Sequence, residues 1–162
     1  MTETYVAETT AHIEQVRKLC DAAARDLAER GRAHDASKFL PVERDVFEAN
    51  THQRDSVAFG SAAYYAHLAH VKPALDHHYA MNRHHPEHFA QGIRGMNLLD
   101  LLEMTCDWMA VTVTDPRHLE PVYASIAVNQ ERFGYSDELA QILRQTVEAL
   151  STRMLTEKRG DA

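Results

Sequence analysis

A histidine and an aspartate stand side by side at His34 and Asp35, in the string HDASKF, where an imidazole and a carboxylate could bind one metal ion. Residues of the same two types occur elsewhere: His12 upstream, seven histidines in the range 67–88, and Asp107 downstream. Because imidazole and carboxylate ligands without a thiolate are typical of octahedral ions, they favour iron, manganese, cobalt or nickel over zinc. These residues predict an enzyme that uses one or two divalent transition-metal ions.

Helices predicted from the apolar pattern must position these residues. Apolar side chains recur every three or four residues over 6–30, which is the spacing of one helical face, and Gly31 should end this helix. His12 falls on it. A later helix carries His78, and Pro73 should bend or interrupt that helix because proline lacks an amide hydrogen.

The remaining candidates follow this second helix. His84 and His85 should lie outside it, because the residue before Pro86 is pushed towards extended geometry. Asn97 is predicted to cap a strongly apolar central helix that carries Asp107. A carboxylate on a mostly buried helix is costly unless it is paired or binds a metal, which makes Asp107 a candidate ligand.

The chain of 162 residues has the length of one domain, and no segment shows the alternating pattern of a strand. The predicted fold is all-α, a single-domain helical bundle of about six helices over 1–162. The metal-site core should lie in about 9–115 and the C-terminal helices in about 116–158.

Charge and hydropathy narrow the partners. A net charge of −7 argues against a nucleic acid polymer, which needs a basic face on the protein, and leaves a small phosphorylated molecule as the expected partner. No apolar stretch approaches the roughly 20 residues needed to cross a bilayer, and the N-terminus lacks the pattern of a signal peptide. We therefore expect a cytoplasmic protein without a membrane partner; the sequence leaves a homodimer open.

The order of the candidate residues resembles the HD superfamily of helical metal-dependent phosphohydrolases, over roughly residues 9–115. The match consists of His12, His34-Asp35, His78, His84-His85 and Asp107. A closer resemblance, to a family of small HD-like proteins, is carried by HDxSKF at 34–39, HxxxNxHH at 78–85 and MxCDW at 104–108. This closer resemblance implies a fold and a site but names no substrate.

The superfamily resemblance implies a set of metal ligands: His12, His34, Asp35, His78, His85 and Asp107. A second ion would be held by His78 with His84 or His85, and Asp35 would bridge the two ions. His84 is left open as a ligand, a substrate contact or a capping residue.

The resemblance also implies a reaction, the hydrolysis of a nucleotide or similar small phosphate ester by metal-activated water. HD nucleotidases have a glutamate that helps to activate water where this chain has Lys38. A lysine at this position resembles the cyclic-dinucleotide phosphodiesterase branch, where it contacts phosphate. Asp35 and Lys38 are the catalytic candidates, and the candidates for substrate binding are Lys38, Asn82, Arg83 and His84.

Simpler roles stay open for some of these residues. Lys38 could pair with Glu43 or lie on the surface, Asn82 could end its helix, and His77 is expected on the surface. Two other functions also remain: an HD-type mixed-valent di-iron oxygenase, and a non-catalytic binding module in which the metal only ties helices together.

Overall fold

The computed structural model describes residues 2–50 and 62–160, apart from the side chains of 62–65, 67, 68 and 158–160. This part of the chain contains six α-helices and no β-strand, which confirms the predicted all-α fold. The helices are α1 (Glu3–Ala33), α2 (Pro41–Asn50), α3 (Ala62–Met81), α4 (Leu98–Thr112), α5 (Glu120–Phe133) and α6 (Asp137–Gly160). In the described residues, no helix is both long enough and apolar enough to span a membrane.

The helices fall into two compact units, Met1–His34 and Asp35–Ala162. The first unit consists of α1, and the second contains the other five described helices. The prediction of one domain over 1–162 stays a prediction.

Helix α1 is longer than the sequence predicts. It starts at the N-cap Thr2 and continues past Gly31 to Ala33, so the predicted stop at Gly31 is wrong. One glycine inside a helix costs only about 1 kcal/mol, which a helix of 31 residues tolerates. The helix ends instead where the backbone of His34 turns away, with φ −50° and ψ 127°.

The segment after α1 forms a short 3₁₀ turn, Ala36–Phe39, which contacts both α2 and α3. Pro41 is the first residue of α2, where its missing amide hydrogen costs nothing. Helix α3 continues through Pro73, so the predicted interruption does not occur. It ends at Met81, and His85 has the extended backbone that a following proline favours.

The core of the second unit lies among α4, α5 and α6, which pack on one another. Within this core the Tyr135 hydroxyl donates to the Ile126 carbonyl over 2.6 Å and is thereby satisfied. Each fully buried apolar side chain contributes roughly 1.5–3 kcal/mol. The buried cluster comprises Ile93, Met104, Met109, Val122, Ile126, Tyr135, Ala140, Leu143 and Val147.

Asn97 caps α4, as the sequence predicts. Its side chain accepts from the amides of Leu99 and Asp100, and the Asp100 carboxylate accepts from the Asn97 amide in return. Asp100 is fully buried and also receives two hydrogen bonds from Arg83, each 3.0 Å long. The start of α4 is thereby tied to the segment that follows α3.

Candidate metal centre

Four side chains of the second unit converge: Asp35, His78, His84 and His85 each offer one ligand atom, and these atoms all lie within 4.8 Å of one another. The Nε2 atoms of His78 and His85 are 2.9 Å apart. Oδ1 of Asp35 lies 3.3 Å from Nε2 of His78 and 3.4 Å from Nε2 of His84. This group could hold a metal ion.

The spacing of these atoms fits a single ion. Ligand atoms about 2.1 Å from a shared ion lie about 3.0 Å apart when their bonds meet at right angles and about 3.4 Å apart at the tetrahedral angle. Three of the separations, 2.9, 3.3 and 3.4 Å, are close to this range, and the others lie within 4.8 Å. Three imidazoles and a carboxylate are also ligand types that divalent transition metals accept, so the donor set fits such an ion.

The backbone of Asp35 is left-handed, with φ 56°, and among the described residues no other non-glycine has a positive φ. Aspartate tolerates this conformation better than most residues, but still at a cost of about 1 kcal/mol. Asp35 has this conformation at the residue just before the 3₁₀ turn Ala36–Phe39.

A buried carboxylate lies behind His78. Glu43 is fully buried, with Oε2 2.9 Å from Nδ1 of His78 and Oε1 2.6 Å from Nδ1 of His77. Burial raises the pKa of Glu43, but hydrogen bonds from His77, Ser37 and His78 outweigh it, so the pKa lies below its ordinary value. His77, expected on the surface, has a side chain that is 31% exposed, and its contact with Glu43 was not predicted.

A second carboxylate lies behind His84. Oε1 of Glu103 is 3.2 Å from Nδ1 of His84, and the imidazole is 1% exposed. His84 is thus a member of the cluster, which was one of the alternatives left open. Sequence reasoning missed the roles of Glu43 and Glu103, although the argument that a carboxylate on a buried helix needs a partner could have identified Glu103.

Ser37 and Asn82 both lie against the imidazole of His78. The Asn82 amide donates to Ser37 Oγ and to the His78 carbonyl, both over 2.7 Å. Ser37 Oγ lies 3.4 Å from Nδ1 of His78, and both side chains are buried. Asn82 therefore does more than end α3, because it joins the two motifs HDxSKF and HxxxNxHH.

The two predicted phosphate contacts have protein partners. Lys38 Nζ donates to Asp35 Oδ2 over 2.5 Å, so the alternative pairing with Glu43 is wrong. Half of the Lys38 side chain is exposed. The Arg83 guanidinium contacts Asp100 through two nitrogens and lies 4.9 Å from the centre of the Phe89 ring, which gives it a role in joining segments of the fold.

The remaining predicted ligands lie outside the four-residue group. Asp107 is half-buried on α4 and places an oxygen within 4.8 Å of a ring nitrogen of His84, beside the group. His12 and His34 belong to the first unit, His12 within α1 and His34 at its C-cap. Ligation by these three residues stays a prediction.

Acid should destabilise the metal-free protein through His85. Burial and the neighbouring His84 and His78 lower the pKa of His85 from 6.5 to about 3. Between these two values the unfolded chain binds a proton that the folded chain does not, so the free energy of unfolding falls as the pH falls. Urea unfolding of chelator-treated protein at a series of pH values should show a steeper loss below pH 6.5 in the wild type than in His85→Gln. If the free energy of unfolding fell equally with pH in the wild type and in His85→Gln, His85 would not be the source of the acid sensitivity.

Comparison with known protein families identifies a family for this chain. The model of a family described as a family of unknown function (DUF5662) matches residues 1–153. No curated protein matches. No solved structure matches either.

Proposed function

Since the chain belongs to this family of unknown function, we propose a function from its own residues: a metal-dependent phosphohydrolase that acts on a nucleotide or similar small phosphate ester. The observation that carries the proposal is the convergence of three imidazoles and one carboxylate oxygen in the second unit. The reaction class comes from the resemblance of HDASKF and the later histidines to HD phosphohydrolases.

The charge of the site suits an anionic substrate. Imidazoles must be neutral to bind a metal, and the lowered pKa of His85 keeps that ring neutral at ordinary pH. Three neutral imidazoles and one carboxylate would leave a divalent ion positively charged within its own ligands, and the carboxylates of Glu43 and Glu103 lie behind the imidazoles, at Nδ1, where they offset part of that charge. The half-exposed Lys38 ammonium beside Asp35 adds a positive charge. A phosphate would therefore be attracted to this position.

Each residue has a defined task in the proposal. Asp35 directs Oδ1 towards the imidazoles and Oδ2 towards Lys38. Lys38, being half exposed, can extend its ammonium to a phosphate oxygen while it stays close to Asp35. A divalent ion, when bound, supplies neutralisation of the phosphate oxygens and lowers the pKa of water. We propose iron, manganese, cobalt or nickel in preference to zinc.

The test is metal analysis together with a hydrolysis assay. Protein purified without added metal should contain one or two divalent transition-metal ions per chain. It should hydrolyse p-nitrophenyl phosphate or its bis ester, lose this activity to a chelator, and regain it with manganese, cobalt or nickel. Two irons per chain with oxygen consumption would instead favour the oxygenase. Bound metal without turnover of phosphate esters or nucleotides would favour the binding module.

Replacing Lys38 by alanine should lower kcat/KM for the phosphate ester by about 10-fold or more, because one cationic hydrogen-bond donor is lost from the developing negative charge. The matched control is Lys72→Ala, since Lys72 is also an exposed lysine paired with an aspartate, Asp76. Metal content is measured in both variants, so that loss of metal is not mistaken for loss of phosphate binding. Unchanged kcat/KM in Lys38→Ala would remove Lys38 from the mechanism.

A further inference from the structure

Two buried glutamates face the outer nitrogens of two imidazoles in the centre. Glu43 faces Nδ1 of His78 at 2.9 Å, and Glu103 faces Nδ1 of His84 at 3.2 Å. The glutamates come from different helices, α2 and α4. The same arrangement is therefore built twice from separate parts of the second unit.

The hydrogen atoms around Glu43 can be assigned. The amide nitrogen of Asn82 lies 2.7 Å from Ser37 Oγ, 2.7 Å from the His78 carbonyl and 3.1 Å from His78 Nδ1, and we assign its two hydrogens to the two nearer acceptors. Ser37 therefore accepts from Asn82 and directs its own hydroxyl hydrogen to Glu43. His77 directs Nδ1 to Oε1 of Glu43 over 2.6 Å, and His78 directs Nδ1 to Oε2. Glu43 thus accepts hydrogen bonds from Ser37, His77 and His78.

This assignment favours one tautomer of the His78 imidazole. A carboxylate only accepts, and Glu43 Oε2 lies closer to Nδ1, at 2.9 Å, than Asp35 Oδ1 lies to Nε2, at 3.3 Å, so we place the proton of a neutral ring on Nδ1 and the lone pair on Nε2. That Nε2 is the atom near Asp35 Oδ1, at 3.3 Å. For His84 the two contacts are closer in length: Nδ1 lies 3.2 Å from Glu103 Oε1 and Nε2 lies 3.4 Å from Asp35 Oδ1, and the shorter of them again places the proton on Nδ1.

We propose that Glu43 and Glu103 are positioning residues, which hold His78 and His84 in the tautomer and orientation that direct an unprotonated Nε2 at the metal position. Ligating histidines generally donate their second ring nitrogen to such a partner. The inference rests on the proposed metal centre and gives functions to Ser37, which donates to Glu43, and to Asn82, which donates to Ser37. His77 provides the third donor to Glu43.

The first test needs neither metal nor a variant. Long-range ¹H–¹⁵N NMR spectra of the metal-free wild type near pH 7.5 should show His78 and His84 protonated on Nδ1. Glu43→Gln can donate from its amide to Nδ1, so the proton of His78 should move towards Nε2 while His84 is unchanged. Protonation of His78 on Nε2 in the wild type would overturn the proposal for Glu43.

The second test is titration with Co²⁺ alone, followed by absorption spectroscopy. Glu43→Gln and Glu103→Gln should each raise the Kd for Co²⁺ by about 10-fold to 100-fold and change the ligand-field bands. The control Glu48→Gln alters an exposed glutamate on the same helix as Glu43 and should leave Kd unchanged. Unchanged Kd and bands in both buried variants would overturn the proposal.

The two tests separate this inference from the proposed function. A wild type that binds Co²⁺ but hydrolyses no phosphate ester would refute the hydrolase and leave the positioning roles intact. A wild type with the expected tautomers that binds no divalent ion would refute the metal centre, and with it the inference.

Discussion

Replacing Asp35 by asparagine is expected to weaken Co²⁺ or Mn²⁺ binding by about 100-fold or more and to abolish metal-dependent hydrolysis. This loss of affinity exceeds the roughly 10-fold to 100-fold typical of residues that hydrogen-bond to a ligand without binding the metal. Oδ1 of Asp35 is the carboxylate oxygen that lies near Nε2 of both His78 and His84. A neutral amide oxygen cannot supply the negative charge that offsets a divalent ion.

The fold should survive this change. Asparagine accepts left-handed backbone as readily as aspartate, so the φ of 56° at position 35 can be kept. The ion pair with Lys38 is partly exposed, and its loss should cost less than about 1 kcal/mol. Calorimetric titration gives the affinity, and urea unfolding gives the stability.

Asp45→Asn is the matched control, because it removes an exposed carboxylate that pairs with Arg44. Its metal affinity should equal that of the wild type. Retention of stoichiometric, tight metal binding in Asp35→Asn would show that the ion is held elsewhere.

Replacing Arg83 by methionine should lower the free energy of unfolding by about 2 kcal/mol, because a buried carboxylate that loses its partner keeps the cost of desolvation. Asp100 is 0% exposed and receives both Arg83 hydrogen bonds at 3.0 Å. The arginine itself is 46% exposed, which holds the effect below that of a fully buried pair. Thermal or urea unfolding measures the change.

A double-mutant cycle with Asp100→Asn isolates this pair. In the Asp100→Asn background the Arg83 substitution should cost less than about 1 kcal/mol, because no buried charge is then left without a partner. Arg94→Met replaces an exposed arginine and should change stability by less than about 0.5 kcal/mol. Loss of phosphate-ester turnover in Arg83→Met without loss of stability would support the original prediction that Arg83 binds substrate.

Local sequence patterns predicted much of the fold. Asn97 caps α4 and His85 has an extended backbone before Pro86, because each depends on the chemistry of one or two neighbouring residues. Helix α1 continues past Gly31 and helix α3 continues through Pro73 for the same physical reason. Both residues lower helix propensity, but a long helix can include one unfavourable residue when the rest of its length favours it.

The site was predicted less completely. Asp35, His78 and His85 were named as ligands, and they do converge, because the spacing of the HxxxNxHH string brings its histidines around the end of α3. Glu43 was not identified as part of the site. It lies 35 positions before His78, a separation that only the packing of α2 on α3 closes. No pattern within either helix encodes that contact.

The left-handed backbone of Asp35 also bears on how such a site could be lost in evolution. Glycine adopts this conformation without steric cost, and asparagine adopts it more readily than other residues with a side chain. Selection for folding alone would therefore permit these replacements, whereas glutamate, which keeps the carboxylate, would be strained at a φ of 56°. Within the proposed metal centre, a single substitution could then yield a descendant that folds at least as well and no longer binds metal. A relative with glycine at this position would be a candidate for a non-catalytic branch.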